Sequence, residues 1–305
     1  MDVFFQQLVN GLSLGGIYAL IALGYTMVYG IIELINFAHG DVYTLGTFFS
    51  LAILMGLGVT GEVHGATLVW VVLVTMLAAM ILCGITGVLI ERLAYRRLRN
   101  APRLAPLITA IGMSFILENV MQLWRGPSPV PFPQFIPNPT LHVGGVEIAA
   151  KQILVVVMAI VMMAALQLFI YRTKMGKAMR ATAQDRDAAQ LMGININTTI
   201  ALTFLIGSAL AGAAGFVSGV YYGSTWFFDG FQAGLKAFTA AVLGGIGNVA
   251  GAMLGGFLIG LIEAFGTQYV PAGAQWVNVV VFSVLVLVLV FRPSGLLGES
   301  LPDKV

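Results

Sequence analysis

Long stretches without Asp, Glu, Lys or Arg restrict what this chain can fold into. A bilayer core about 30 Å thick requires about 20 consecutive apolar residues per helix. Uncharged stretches of suitable character occur at residues 3–32, 42–61, 63–90, 104–117, 152–171, 188–228, 237–262 and 264–291. The sequence therefore predicts a chain that crosses a membrane many times.

Composition agrees with this prediction, since 59% of the residues are hydrophobic and only 9% are charged. Soluble domains contain about 45–50% apolar and about 25% charged residues, so this chain lacks the polar groups to cover a soluble surface. The apolar runs are continuous and do not alternate with period two, which indicates helices and not a membrane barrel. We predict an all-α, polytopic transmembrane bundle of eight or nine spans, with residues 1–305 forming one domain.

Basic residues predict how the chain is oriented. Ten of the 15 Lys and Arg residues lie in two segments: Arg92, Arg96, Arg97, Arg99 and Arg103, then Arg172, Lys174, Lys177, Arg180 and Arg186. The positive-inside rule places both segments in the cytoplasm. Two spans, about 104–124 and 152–171, separate them, and the intervening loop with six prolines is therefore external. We expect this loop to be extended and polyproline-like, either as a spacer or as a docking surface.

Counting spans from these segments places the N-terminus outside, the C-terminus inside, and residues 31–41 on or near the cytoplasmic side. The span at about 232–247 is short, contains Lys236 and ends in several glycines. Discontinuous membrane helices often have this character, so we predict that this element is a half-helix or a re-entrant segment.

Several kinds of chemistry lack their usual residues. Cys83 is the only cysteine, which excludes intrachain disulfides and cysteine metal clusters. Lys177 is followed by Ala178 where a phosphate-binding loop requires Ser or Thr, and neither HExxH nor GxSxG occurs. We expect no metal site and no ATP hydrolysis by this chain alone.

A polar stripe is predicted on one helix, because Ser114, Glu118 and Gln122 follow one another at intervals of four. These side chains either line a water-filled pathway or reach toward the lipid headgroups. Lys236 is also a candidate for the pathway, although an ion pair with Glu263 or separate interfacial snorkelling is favoured over ligand binding.

Two carboxylates, Asn36 and His39 lie close together in the segment from Glu33 to Asp41. Asn36 and His39 are candidates for lining the pathway. A metal site is disfavoured because no other ligands occur at a recognised spacing. A turn that caps two helices, with Asn36 or Asp41 as the cap, is the favoured interpretation.

Residues 175–192 have the pattern of a short amphipathic helix. One face is apolar or small and the other is charged: Met175, Ala178, Met179, Thr182, Ala189 and Met192 against Lys177, Arg180, Gln184 and Asp187. Gly193 fits the position that ends a helix. This helix either lies flat on the cytoplasmic leaflet or docks a partner, and a partner accounts better for the mixed charges of Asp185, Arg186 and Asp187.

Glycines recur every four residues in two places, at Gly215, Gly219 and Gly223 and at Gly247, Gly251 and Gly255. Such stripes allow two helix backbones to approach closely, so we predict tight helix packing there.

Five segments together resemble the LivH-type permease of branched-chain amino acid ABC importers. They are SLGGIYALIALGYTMVYGIIELINFAHGD (13–41), IERLAYRRLRNAPRLAPLITAIGMSFILEN (90–119), GKAMRATAQDRDAAQLMGIN (176–195), FTAAVLGGIGNVAGAMLGG (238–256) and RPSGLLG (292–298). The resemblance extends over nearly the whole chain.

This resemblance implies a multi-pass permease of the bacterial inner membrane, surrounded by lipid and without a nucleic-acid partner. It implies a second permease of the LivM type, two cytoplasmic ATP-binding subunits that hold ATP and Mg²⁺, and a periplasmic protein that delivers leucine, isoleucine or valine. It also implies that residues 176–193 contact an ATPase, through Lys177, Arg180, Asp185, Arg186, Asp187 and Gly193.

The expected mechanism is alternating access driven by ATP hydrolysis on the partner subunits. The same family also includes permeases for urea or short amides, so the substrate stays open. The residues also leave room for an ion-coupled transporter that works alone, and for a membrane-embedded enzyme that uses His39, Asp41 and Glu118.

Overall fold

The computed structural model describes residues 2–99, 101–102 and 104–298, and within these ranges the chain is mostly α-helical. Arg103, one of the predicted cytoplasmic arginines, lies outside the described residues. The helices are α1 (Asp2–Ile32), α2 (His39–Gly56), α3 (Gly65–Ile90), α4 (Leu104–Arg125), α5 (Ala150–Arg172), α6 (Lys174–Gln184), α7 (Arg186–Leu191), α8 (Ile196–Tyr222), α9 (Asp229–Gly244), α10 (Val249–Tyr269) and α11 (Gly273–Phe291). A π turn at Glu91–Tyr95 and a 3₁₀ turn at Arg96–Leu98 continue α3.

Nine of these helices correspond to the predicted spans, which confirms the all-α polytopic fold. Seven helices in the described ranges are long and apolar enough to cross a membrane: α1, α3, α4, α5, α8, α10 and α11. The other two of the nine are shorter, with 18 residues in α2 and 16 residues in α9. Helices α6 and α7 form the short segment between α5 and α8.

Helix α1 lies at the centre of the bundle and packs along α10 through glycines on both helices. A Cβ on Gly15 would stand 2.6 Å from the Cα of Phe257, and one on Gly11 would stand 2.9 Å from the Cα of Leu261. Gly256 and Gly260 of α10 likewise face the backbone of α1. The backbones are therefore in direct contact, as in other membrane helix pairs with small residues at their interface.

The predicted glycine stripes are only partly packing surfaces. Gly215 packs on the backbone of α2, where a Cβ would stand 2.6 Å from the amide nitrogen of Thr47. Gly219 faces the ring of Phe132, and Gly223 ends α8 with a φ of 70°.

The second stripe contains one error. Gly251 and Gly255 face the backbone of α9, as predicted. Gly247 lies in the turn between α9 and α10, with a φ of 95°, so it belongs to no helix stripe. Gly247 continues the four-residue spacing of the glycines by chance. Its turn requires glycine for a different reason, because the backbone there has a positive φ.

The proline loop packs against the bundle, which argues against a plain spacer, while its extended, polyproline-like backbone stays a prediction. Strand β1 (Val130–Pro131) pairs with β4 (Ser224–Thr225), and β2 (Thr140–Val143) forms a hairpin with β3 (Val146–Ala149). Phe132 and Phe135 are buried because they insert against α8. The role of the hairpin as a docking surface stays a prediction.

The ends of α1 lie on opposite sides of the bundle. Near its N-terminus, Gln6 donates a 3.0 Å hydrogen bond to the carbonyl of Glu147 in the proline loop. At its C-terminus, the carbonyl of Ile32 accepts a 2.7 Å hydrogen bond from Arg186 of the second basic segment. Helix α1 therefore runs from the proline-loop side to the basic side, which agrees with the predicted orientation.

Candidate functional site

The chain turns back into the bundle directly after α1. Glu33 adopts a φ of 59°, and residues 33–38 contain no helix. His39 then begins α2 with its Nε2 3.2 Å from the carbonyl oxygen of Ile21. Ile21 precedes the end of α1 by 11 residues, or about 16 Å at 1.5 Å per residue. The prediction that residues 31–41 all lie near the cytoplasmic side is therefore wrong for residues 39–41, because the extended segment carries them deep into the bundle.

Helix α9 begins at the same depth. A Cβ on Gly234 would stand 3.0 Å from the Cα of Gly40, and one on Gly230 would stand 2.6 Å from the carbonyl oxygen of Gly40. The first turns of α2 and α9 therefore touch inside the membrane; residues 39–44 and 229–234 are called the helix junction below. The predicted half-helix at 232–247 corresponds to α9, whereas the similar character of α2 was missed.

Polar side chains of α4 complete the helix junction. Ser114 donates a hydrogen bond to Oδ2 of Asp41, and Glu118 lies one turn further along α4. Asp41 is 1% exposed and Glu118 is 5% exposed. Within the described ranges, Oδ1 of Asp41, Oγ1 of Thr44, Oε1 of Glu118 and Nδ1 of His39 are buried without a hydrogen-bond partner. Such groups are costly in an apolar interior, so they mark a candidate site.

The predicted cap of α2 is not observed. Ala38 occupies the N-cap position, where no side chain accepts a hydrogen bond. The side chain of Asn36 instead accepts a 3.1 Å hydrogen bond from Tyr95. Asp41 lies inside the first turn, and its carboxylate bonds to Ser114 across the gap between α2 and α4. The side chains of Asn36 and Asp41 therefore form tertiary hydrogen bonds and do not cap α2.

The candidate pathway residues do not all meet in one place. His39 belongs to the helix junction and Ser114 bonds to it directly, whereas Glu118 lies one turn beyond Ser114 on α4. Gln122 is only half-buried and lies one turn beyond Glu118 toward the outer end of α4. Its pathway role, like that of Asn36, stays a prediction.

Lys236 forms an ion pair with Glu263, which is one of the two favoured interpretations of this residue. Its Nζ lies 2.6 Å from Oε1 of Glu263, and Tyr18 donates a 2.7 Å hydrogen bond to Oε2 of the same carboxylate. The two charged side chains are 11% and 15% exposed. This contact joins α9, α10 and α1, which gives Lys236 a structural explanation.

The predicted amphipathic helix is broken into α6 and α7. Asp185 has an extended backbone (φ −156°), and its carboxylate accepts hydrogen bonds from the amides of Asp187 at 2.9 Å and Ala188 at 3.0 Å. Asp185 therefore ends one helix and caps the next. The prediction of one continuous helix was wrong because side-chain capping at Asp185 favours a new start.

The faces of this segment are partly as predicted. Met179, Thr182 and Ala189 are buried, and Gly193 ends α7 with a φ of 85°. Met192, which was assigned to the apolar packing face, is 83% exposed, because the break at Asp185 redirects the second half of the segment.

Charged residues of α6 and α7 differ in their environments. Lys177, Arg180, Asp185 and Asp187 are exposed, whereas Arg186 is half-buried. Arg186 borders an open cavity of about 520 Å³ between the end of α1 and the start of α7, and Arg99 also lines it.

A buried acid near the cytoplasmic face was missed by the sequence reasoning. Glu91 is 0% exposed and pairs with Arg96 at 3.0 Å and with Arg99. Arg99 also donates a 2.6 Å hydrogen bond to Asn197 at the start of α8. Burial lowers the pKa of the Arg99 guanidinium, while the Glu91 carboxylate opposes that shift. The sequence contained one signal for this ion pair, since Glu91 is the single acidic residue next to the first group of arginines.

Comparisons with known proteins agree with one another. Residues 7–289 match the model of a family described as branched-chain amino acid transport system, permease component. The chain is 47% identical to the high-affinity branched-chain amino acid transport system permease protein BraD of Pseudomonas aeruginosa, over 99% of this chain and 98% of that protein. It is 45% identical to the corresponding protein LivH of Escherichia coli K12, with the same coverage.

Proposed function

The chain belongs to the family of permease components of branched-chain amino acid transport systems, and on this premise we propose that it is the membrane-crossing subunit of an ATP-driven importer. In this role it carries leucine, isoleucine or valine across a bacterial inner membrane by alternating access. The named relatives support this substrate class, since they are permeases of high-affinity branched-chain amino acid transport systems.

The proposed complex contains several companions. A second permease of the LivM type forms the other half of the pathway, and a periplasmic binding protein delivers the substrate. Two cytoplasmic subunits bind ATP and Mg²⁺ and hydrolyse ATP. The sequence supports this division of labour, because Ala178 follows Lys177 where a phosphate-binding loop needs Ser or Thr.

The single observation that carries the coupling role is the exposed apolar tip of α7. Leu191 and Met192 are 88% and 83% exposed on the cytoplasmic side of the bundle. Two adjacent apolar side chains outside the membrane favour a protein partner. Arg186 of the same helix donates a 2.7 Å hydrogen bond to the carbonyl of Ile32. A displacement of α7 is therefore transmitted directly to the end of α1.

Docking is tested by replacing both tip residues with serine. We expect Leu191→Ser with Met192→Ser to lower copurification of the ATP-binding subunits, by about tenfold if about 1.4 kcal/mol of contact is lost. The matched control is Leu141→Ser, because Leu141 is also exposed but lies on the external hairpin. Equal recovery of the ATPases with all variants would reject α7 as the docking element.

Coupling is tested at Arg186. We expect Arg186→Ala to lower leucine uptake per ATP hydrolysed while the complex still assembles, because α7 loses its bond to α1. Uptake and hydrolysis are measured in proteoliposomes that contain the companion subunits. A normal ratio would contradict the coupling role, and leucine uptake by the purified chain without companions would contradict the importer itself.

A further inference from the structure

Three oxygens at the helix junction converge on one point. A Cβ on Gly230 would stand 2.6 Å from the carbonyl oxygen of Gly40, 2.6 Å from Oγ1 of Thr44 and 2.8 Å from Oδ1 of Asp41. These three atoms of the first two turns of α2 are called the oxygen cup. Gly230 covers it, and only a residue without a side chain fits there.

Two of the three oxygens have no hydrogen-bond partner among the described residues. Asp41 is 1% exposed and Thr44 is 0% exposed, so water does not reach them freely. A buried carboxylate oxygen and a buried hydroxyl without partners cost free energy that a bound donor would recover. Both oxygens lie within 2.8 Å of the same point, so one ligand group placed there would reach both.

The charge of the helix junction favours a cationic ligand. Asp41 and Glu118 are both acidic and both keep an unpartnered oxygen. The basic residue nearest in sequence on α9, Lys236, is paired with Glu263. In the present conformation the amide dipoles at the N-terminal end of α9 face Asp41, and Asp229 of the same turn opposes them with a negative charge. Moving α9 away would leave the carboxylate without this compensation.

The number of acceptors matches a primary ammonium group. An ammonium carries three N–H donors and no acceptor, and the oxygen cup presents three acceptors. A divalent metal fits poorly, since Mg²⁺ and Ca²⁺ take about six to eight oxygen ligands. Among the residues that the structure describes, no group of His, Cys, Asp and Glu is arranged to hold a metal.

We propose that the oxygen cup of Gly40, Asp41 and Thr44 binds the ammonium group of the transported amino acid when α9 moves off it. This inference rests on the proposed import of amino acids and names the site of that substrate within the chain. Binding of the ammonium replaces the N-terminal end of α9 as the positive partner of Asp41. The two partners exclude each other, so substrate binding and the position of α9 are linked.

The test compares isosteric variants in the complete complex, reconstituted with its companions and binding protein. Asp41→Asn removes the charge, Thr44→Val removes the hydroxyl, and Thr44→Ser keeps it. Thr75→Val is the matched control, because Thr75 of α3 is also buried with an unpartnered hydroxyl but lies outside the helix junction. Copurification of the companions confirms that each complex assembles.

We expect leucine uptake to fall about tenfold in Asp41→Asn and about threefold in Thr44→Val, as the loss of charged and neutral hydrogen bonds implies. Thr44→Ser and Thr75→Val should transport like the parent protein. Parental uptake by Asp41→Asn, or equal behaviour of Thr44→Val and Thr44→Ser, would overturn the assignment.

Replacing Na⁺ by choline distinguishes an alkali-cation site. Unchanged uptake supports an ammonium ligand, whereas loss of uptake would overturn the assignment. A parent complex that imports no leucine would refute the proposed function and with it the ligand. Normal import by the parent together with normal import by Asp41→Asn would refute only the oxygen cup.

Discussion

Single glycines and buried charges determine how closely the helices of this permease approach. Gly256 faces the backbone of α1, where an added Cβ would stand 2.6 Å from the Cβ of Ala19. Gly112 of α4, by contrast, has nothing within 4 Å of the same position. The same residue type therefore has different consequences in two helices, and only the contacts distinguish them.

Replacing Gly256 by valine should destabilise the bundle. The branched side chain would push α10 away from α1, which we expect to cost about 2 kcal/mol or more. Thermal unfolding in detergent measures the effect. Gly112→Val is the control and should unfold within a few degrees of the parent protein; equal stability of both variants would contradict the packing described for α1 and α10.

Breaking the ion pair of Lys236 should be more damaging than removing it entirely. Lys236→Met leaves the buried carboxylate of Glu263 without its cation, which we expect to cost about 3 kcal/mol. Lys236→Met combined with Glu263→Met should recover part of this loss, although Tyr18 then lacks its acceptor. Denaturant unfolding of the three proteins provides the comparison. A double variant less stable than the single one would disagree with this account.

Two elements are interrupted for different physical reasons. Between α6 and α7 the interruption is local, because the carboxylate of Asp185 caps the second helix. Between α1 and α2 it is tertiary, because Glu33 turns the chain and His39 reaches back to Ile21. Non-helical backbone inside a membrane is tolerated where protein surrounds it. Residues 34–38 meet this condition because they are buried or half-buried in the bundle, whereas Glu33 is exposed at its edge.

Loss of the Asp185 cap should loosen α7. We expect Asp185→Ala to destabilise this helix by about 1 kcal/mol, because the amides of Asp187 and Ala188 lose their acceptor. Asp185→Asn keeps an acceptor and serves as the control. Amide hydrogen exchange of residues 186–191 should become several times faster in the alanine variant only. Identical exchange in the two variants would show that the cap is unimportant.

At the scale of the whole molecule, the charge asymmetry and the packing agree on one orientation. The segments with Arg99 and Arg186 lie at the end of α1 that carries Ile32. The proline loop lies at the opposite end, beside Gln6. Because the positive-inside rule places the basic end in the cytoplasm, we predict that the loop faces the exterior.

Accessibility to a membrane-impermeant thiol reagent should reveal this orientation. Cys83 is the only cysteine and is buried, so the parent protein should not react. Glu62→Cys, between α2 and α3, should be labelled in intact spheroplasts. Arg97→Cys, at an exposed position of the first basic segment, should be labelled only after the membrane is opened. The reverse labelling pattern would show that the chain has the opposite orientation in the membrane.

Much of the fold could be predicted from sequence, because membrane helices are recognisable as long stretches of apolar residues. The predicted spans became helices, and α9 was recognised as unusual from its short length, its lysine and its glycines. The candidate site was harder. Ser114 and Glu118 stood out as polar residues within an apolar stretch, but Asp41, the partner of Ser114, was assigned to a cap, since nothing local indicated that α4 lies beside it.

The sequence by itself determined that this chain lies in a membrane and which family it resembles, and it predicts which side its basic segments face. These properties depend on transfer of side chains from water to lipid and on patterns along one dimension. Only the tertiary structure decided that α2 and α9 begin together inside the bundle and that Gly40, Asp41 and Thr44 face Gly230. Contacts between residues nearly two hundred positions apart depend on how backbones pack in three dimensions, and no local pattern specifies them.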